Sequence, residues 1–284
     1  MTSSVYAREM ITSVSPVIAP PDVGDLPDSP GVYHFYAERG ALLYIGKSIH
    51  IRQRVRSHFQ QAKTDARHAR LCRQVARVEA IPTAGELGAL LLEAQQIKDL
   101  RPLYNKRLRR QRGLLSWRLQ ASGELENVTR LNSSKESPLY GLFRSQHQAR
   151  ERLRELAREH GLCLRVLGLE AGQGRCFAQQ LNRCRGACCG LESLASHQQR
   201  LQAALMPLQL ATWDWPGAIA LPEFDPVQGI RQWHVVRQWC LLGSTDQAKT
   251  CVALAQGGGE FDLDLYHILS GWLQRHPEQP VELL

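Results

Sequence analysis

Gly31-Val32-Tyr33-His34-Phe35-Tyr36, followed by Leu43-Tyr44-Ile45-Gly46-Lys47, is the stretch that decides the fold. Between the two pieces, Ala37-Glu38-Arg39-Gly40 is a short charged turn ending in glycine. That order reads as a hairpin of two strands, Gly31 to Tyr36 and Ala41 to Ile45, with Gly46 ending the second. Tyr33 and Tyr44 are then expected to lie across from each other. Ser48 to Gln60 reads as a helix, with Ile49, Val55 and Phe59 apolar and basic residues between them. Arg54 and His58 are four apart, so they share one face of it. A second helix, Gly85 to Leu100, carries Glu93 among Leu87, Leu90, Leu91, Leu92 and Ile97.

In order and spacing these pieces resemble the GIY-YIG nucleases. The resemblance rests on a GVY strand, a YIGK strand, an arginine seven residues after the lysine, a helix glutamate, and Asn105 twelve residues after that glutamate. Within the superfamily it points to the amino-terminal half of UvrC, the incision subunit of bacterial nucleotide excision repair, and to short homologues of it. The resemblance implies an α+β fold, with a small GIY-YIG domain over residues 23–112 whose short mixed or antiparallel sheet is flanked by helices. It implies a catalytic set of Tyr33, Tyr44, Lys47, Arg54, His58, Glu93 and Asn105. UvrC itself usually has tyrosine where His58 stands, whereas other GIY-YIG families have histidine.

The residue types suit phosphodiester hydrolysis, which needs a deprotonated water, a clamp on the phosphate and a stabiliser for the leaving oxygen. Glu93 is the acid placed to hold Mg²⁺ or Mn²⁺, an ion that keeps several waters and takes one or two carboxylates. Arg54 offers a permanently charged planar fork for phosphate oxygens. A tyrosine has an ordinary pKa of about 10, and Lys47, three residues past Tyr44, supplies a charge that favours its phenolate. Tyr33 and Tyr44 divide the roles of base and water-positioner, in an order the sequence leaves open. His58 is expected to relay a proton or bind phosphate. Asn105 is expected to fix another member of the set by hydrogen bonding.

Taken singly, each residue has a plainer reading: tyrosine packs in strands, arginine is solvated, and glutamate pairs with a cation. A glutamate among leucines is harder to dismiss, because an unpaired buried acid is costly. The charge pattern agrees with a DNA substrate. The 284-residue chain carries +8, with a pI near 9.2. Arg52, Arg56, Lys63, Arg67, Arg70 and Arg73 crowd one stretch with Asp65 the only acid, and Lys106, Arg107, Arg109 and Arg110 form a second run. Such density beside the site suits a phosphate backbone, giving affinity and salt dependence rather than sequence choice.

Eight cysteines form the second signal. Cys176, Cys184, Cys188 and Cys189 fall close together, with Cys163 a little upstream. No secretion signal precedes them, and clustered thiols in a reducing cytoplasm bind metal more often than they pair. The run Cys163, Cys176, Cys184, Cys188 is similar to the cysteine pattern beyond the UvrC nuclease domain, which implies a [4Fe–4S] cluster; a Cys₄ zinc site is the competitor. Cys72, Cys240 and Cys251 read as core residues.

Residues 1–22 read as a flexible arm, 113–190 as a UvrC-like connector with a helical cysteine-cluster segment, and 191–284 as a smaller α/β carboxy-terminal region of unknown role. In the connector, Trp117 to Gln120 and Val128 to Leu131 read as strands, and Leu139 to Phe143 leads into a helix over Ser145 to His160. A helix is expected over Leu191 to Leu210, strands over Ala218–Leu221, Trp233–Val236 and Trp239–Gly243, and a last helix over Asp262 to Arg275. No apolar run is long enough to span a membrane, and a bacterial, cytoplasmic setting is expected. The favoured function is a metal-assisted endonuclease making one 3′-side incision in damaged double-stranded DNA presented by UvrA and UvrB. The competitors are a stand-alone GIY-YIG endonuclease of restriction, homing or junction-resolving type, a DNA-binding module without catalysis, and a metal-dependent regulator centred on the cysteines.

Overall fold

Strand β1, Gly31–Tyr36, is buried almost along its whole length because it lies in the middle of a three-stranded sheet. A computed structural model describes residues 23–105, 114–129 and 137–284, apart from the side chain of Arg67. The chain divides into two compact units, Met1–Lys106 and Arg107–Leu284.

In the first unit β1 pairs antiparallel with β2, Leu42–Ser48, as the hairpin pattern requires. The turn closes with Gly40 at a φ of 79°, a left-handed conformation that glycine adopts without strain. Helices α1, Ile51–Gln61, and α2, Ala66–Cys72, precede β3, Arg77–Pro82, which takes the other edge of β1. Helix α3, Glu86–Leu100, follows. One sheet face, with Tyr33 and Phe35, joins Val55, Phe59, Leu71 and Cys72 in a core. On the other face His34 Nε2 meets Gln96 Oε1 of α3 at 2.7 Å.

Three expectations are corrected here. Strand β2 does not stop at Gly46 but runs on to Ser48, because Gly46 pairs with Tyr33 and Lys47 with Val32. Tyr44 consequently faces Phe35 rather than Tyr33, two pairs further along. Helix α1 starts at Ile51, three residues later than read, because Ser48 and His50 bond each other: Ser48 Oγ donates to His50 O and accepts from His50 N–H. That local turn competes with helix. Strand β3 is weakly marked in the sequence, since its polar/apolar alternation lasts only from Arg77 to Ala80 before Ile81 and Pro82 break it.

The second unit begins with β4, Leu115–Leu119, β5, Leu125–Val128, and β6, Leu139–Phe143, in the order β5-β4-β6. The second strand thus ends where Val128 was expected to begin it, and Arg130 and Leu131 lie outside the described residues. Helix α4, Gln146–His160, is capped by Ser145 Oγ, which accepts from Gln148 N–H. Its Leu153 and Leu156 join Trp117, Tyr140 and Phe143, together with Leu201 and Leu205 of a later helix (α6, Leu194–Leu205), in one core. Between α4 and α6 the chain is mostly irregular, with one turn of helix, α5, Phe177–Gln180. Helix α6, Leu194–Leu205, is shorter at both ends than read: Ser193 caps it, and a 3₁₀ turn, Met206–Leu208, takes over around Pro207.

Four antiparallel strands follow in the order β10-β7-β8-β9: β7, Ile219–Asp225, β8, Ile230–Arg237, β9, Cys240–Thr245, and β10, Glu282–Leu283. Trp239 was read as the start of β9 but lies in the turn, with Gln238 and Trp239 both at positive φ. Such a two-residue turn matches the twist of the strands it joins, and the Trp239 indole N–H donates to Ala211 O at 2.9 Å. Helix α7, Cys251–Ala255, sets Cys251 against Ala220 and Val235; helix α8, Leu263–Arg275, is capped by Asp262. Cys240 is half-buried rather than a core residue. Among the described residues no helix is long and apolar enough to cross a membrane.

Candidate active site

Tyr33 reaches out of β1 toward α1, and Gly46 makes that reach feasible. A Cβ at position 46 would lie 2.3 Å from the Tyr33 hydroxyl, so only glycine fits the facing position. The hydroxyl meets His58 Nε2 of α1 at 2.7 Å. Tyr33 is 1% exposed and His58 2%. The half-buried Tyr44 ring lies 6.2 Å from the Tyr33 ring and 5.5 Å from His58, centre to centre. Arg54, one turn before His58, is exposed.

Burial sets the electrostatics. It raises the Tyr33 pKa well above the ordinary phenol value, with Tyr44 adding to the rise; the charge and hydrogen bonding of Arg54 pull the other way but lose. Burial also lowers His58 to about 4, helped by Arg54 and His68, so the imidazole is neutral at physiological pH. Its Nδ1 has no hydrogen-bond partner among the described residues.

Glu93 lies on α3, and its Oε1 accepts the Lys47 backbone N–H at 3.1 Å. Burial raises its pKa, against the opposing pull of that hydrogen bond and of the Lys47 and Arg54 charges. A half-buried carboxylate with one oxygen so engaged fits a divalent cation as its further partner. The Lys47 ammonium does not stand free beside Tyr44 as expected. It pairs with Glu86 Oε1 at 2.9 Å. Glu86 thus lies beside the site as the ion-pair partner of Lys47, a residue the sequence reading did not single out. The signal was present: Glu86 and Glu93 are seven residues apart on one helix, hence on one face.

Asn105 clamps the free edge of β2. Its Oδ1 accepts Ile45 N–H at 2.9 Å, and its Nδ2 donates to Ile45 O at 2.8 Å. The amide thereby does for the edge what another strand would do, at the residue between Tyr44 and Gly46. His68 is a second residue missed in the sequence: its ring lies 5.5 Å from that of His58. Twenty-five and ten residues of separation hide both His58 contacts from any periodic pattern.

Of the expected DNA-contacting residues, Arg56, Lys63, Arg70 and Arg73 are exposed. Arg52 is half-buried and its Nε donates to Leu26 O at 2.7 Å, a structural tie. The Arg67 side chain and Lys106, Arg107, Arg109 and Arg110 lie outside the described residues.

The second unit gathers the cysteines. Sγ atoms of Cys163, Cys176 and Cys184 all lie within 4.8 Å of one another and are buried. Cys188 belongs beside them, its Sγ accepting Cys176 N–H at 3.3 Å. Cys189 Sγ instead donates to Gly186 O. Burial pushes the Cys176 thiol up to about 12. At Cys163 burial opposes ionisation too, but hydrogen bonds from the Val166 and Arg165 backbone and from Cys188 and Cys176 outweigh it and lower the pKa.

Three domain families match the chain one after another. The UvrC-like GIY-YIG domain matches residues 29–106, the UvrC/Cho excinuclease middle domain 114–207, and the excinuclease Cho C-terminal domain 218–284. The first match sets the class: a metal-dependent endonuclease of the UvrC-like GIY-YIG type. Excinuclease Cho of Salmonella typhi is 44% identical over 270 residues, covering 93% of this chain and 89% of that protein. Its counterpart in Escherichia coli K12 is 41% identical over 251 residues, covering 87% and 83%. The chain belongs to the excinuclease Cho family. UvrABC system protein C of Geobacter metallireducens is 37% identical over 187 residues, covering 64% of this chain and 30% of that one. The GIY-YIG endonuclease domain of UvrC from Thermotoga maritima, solved with its catalytic magnesium, is 35% identical, covering 28% of this chain and 85% of that one at a TM-score of 0.26.

Proposed function

We propose that this chain makes a single incision, on the 3′ side of a lesion, in damaged double-stranded DNA presented by UvrA and UvrB in the bacterial cytoplasm. The observation that carries the reading is one nuclease-type site with one engaged, half-buried carboxylate: Glu93 beside Arg54, Tyr33, Tyr44 and Lys47. Glu93 would hold Mg²⁺ or Mn²⁺, which would supply Lewis-acid stabilisation of charge on the phosphate and the leaving oxygen.

The protein's own residues divide the remaining work. Arg54 clamps the phosphate and offsets the charge that develops on it. Tyr33 is the poorer base, because burial holds its proton. Its hydroxyl shares a hydrogen bond with Nε2 of the neutral His58, which holds the phenol in place to meet Arg54 or the attacking water. Tyr44, half-buried and closer to solvent, first gives its own proton to solvent and then, as the phenolate, takes a proton from the water that attacks phosphorus, returning to the phenol. Lys47, held by Glu86, fixes the backbone N–H that orients Glu93. The domain divisions at residues 23–112, 113–190 and 191–284 belong to the same proposal, as does a thiolate-ligated metal at Cys163, Cys176, Cys184 and Cys188. Three sulfur donors within 4.8 Å of one another, with the Cys188 thiol against the Cys176 backbone, suit an iron–sulfur centre or zinc.

The test is nicking of a duplex with one lesion, strand-labelled to map the cut, with and without UvrA and UvrB. One cut on the 3′ side that needs both proteins is expected, abolished by Glu93→Gln. Equal cutting of undamaged DNA by the chain alone would favour a stand-alone endonuclease.

A further inference from the structure

Outside the nuclease unit, one cleft carries charge that nothing above uses. It measures about 530 Å³ and lies between the end of α4, at Glu159 and His160, and the loop Asn182–Arg185, with Arg200 at its side. Its arginines differ in how they are committed. Arg200 is locked: Nε and Nη2 hold Glu192 Oε1 at 2.9 and 2.7 Å, and Nη1 donates to His160 O and Gly161 O. By neutralising those carbonyls Arg200 also removes the negative end of the α4 dipole from the cleft. Glu159, the one acid in the lining, lies 3.6 Å from Arg152.

Arg183 and Arg185 are exposed, and neither has a carboxylate partner among the described residues. From Ala171 to Leu191 the chain has three arginines and no acid. The flanking acids are engaged, Glu170 with Arg165 and Glu192 with Arg200. The loop is also held in place. Arg183 N–H donates to Ala178 O at 2.7 Å, and the buried Cys184 between the two arginines accepts Gly186 N–H at 3.3 Å. Two pre-positioned guanidinium forks with free charge at the mouth of a polar cleft are matched to phosphate oxygens.

We propose that Arg183 and Arg185 grip the DNA phosphate backbone, so that the cysteine-bearing unit carries a second DNA contact. The inference rests on the DNA-substrate reading above and uses none of its chemistry. Phosphate contacts supply affinity without sequence choice, and each one released makes binding less salt-dependent.

The experiment measures binding of the full chain to an undamaged 30-base-pair duplex across a salt series, without UvrA, UvrB or added Mg²⁺ or Mn²⁺. For Arg183→Ala/Arg185→Ala the plot of log affinity against log salt should become shallower by about 2, roughly 1 per arginine, with affinity at low salt down tenfold or more. Arg183→Lys/Arg185→Lys should keep most of the slope. Arg144→Ala/Arg150→Ala removes the same charge from exposed positions that do not line the cleft and should change the slope little. An unchanged slope in the Arg183/Arg185 pair, or an equal change in the control pair, overturns the proposal. So does unchanged binding with incision lost only in the presence of UvrA and UvrB, which would assign these arginines to a protein contact. Because the readout is binding, a chain that never incises still reports on the arginines.

Discussion

Tyr33 and Tyr44 are the same residue type in one site, and their surroundings separate them. Tyr33 is enclosed, bonded to His58 and held protonated, whereas Tyr44 is half-buried. Tyr44→Phe is therefore expected to remove nearly all cleavage, by 10²-fold or more, as loss of a general base does. Tyr33→Phe should cost less, chiefly through a misplaced His58 and Arg54. Single-turnover rates on one substrate compare them, and a reversed order would exchange their roles. His58 itself gives a stability prediction. Its folded pKa of about 4 lies below the ordinary 6.5, so the unfolded chain takes up the proton first. Stability from this group is complete above pH 6.5, falls as pH drops from 6.5 toward 4, and changes no further below that. The loss amounts to about 3 kcal/mol. Urea titrations at pH 7 and pH 4.5 should show that drop in the wild type and lack it in His58→Phe.

Strand β2 carries Tyr44, Gly46 and Lys47 yet lies at the edge of its sheet, where Leu103 and Tyr104 N–H donate to Leu42 O and Leu43 O and the Asn105 side chain continues the ladder at Ile45. Each hydrogen bond of that amide is worth about 1 kcal/mol net. Asn105→Ala should thus destabilise the nuclease unit by about 2 kcal/mol, speed hydrogen exchange at Ile45, and lower cleavage with a smaller effect on DNA affinity. Unaltered exchange at Ile45 would remove Asn105 from this role. Elements of this kind decide how much the sequence could reveal. The hairpin, α1, α3, α4 and α8 were legible because a period or a cap marks them. Strand β3, the reach of β2 beyond Gly46, and the turn at Trp239 were not, because they follow from pairing with a distant strand or from a side chain buried elsewhere. The site reads the same way. Types and spacing single out its candidate members, but the Lys47–Glu86 pair and the Tyr33–His58 bond exist only once helices are laid on the sheet.

Across the chain, the core of Trp117, Phe143, Leu153 and Leu201 and the sheet of β7 to β10 are built from ordinary apolar packing. The cysteine segment is different: its small cluster consists of Cys163, Cys176, Cys184 and Ala187 with little aliphatic bulk around it. A ligated metal would stabilise such a segment where apolar burial is scarce. Protein purified without oxygen is expected to contain iron and sulfide, and removing the metal should loosen residues about 160–190 in hydrogen exchange while β1 to α3 stay protected. Stoichiometric zinc without iron would assign the site to zinc, and metal-free protein would leave three buried thiols and the half-buried Cys188.

The clamp at Asn105 has a practical corollary for anyone who recombines these proteins. The residue that finishes the active strand comes after the last helix of its unit, next to the unit boundary between Lys106 and Arg107. A crossover placed at the end of α3, where secondary structure suggests a seam, would strip the amide from Ile45 and leave a bare, pairing-competent edge beside the catalytic groups. Chimaeras that exchange the nuclease cassette should be spliced downstream of Asn105, so that each cassette travels with its own selvage.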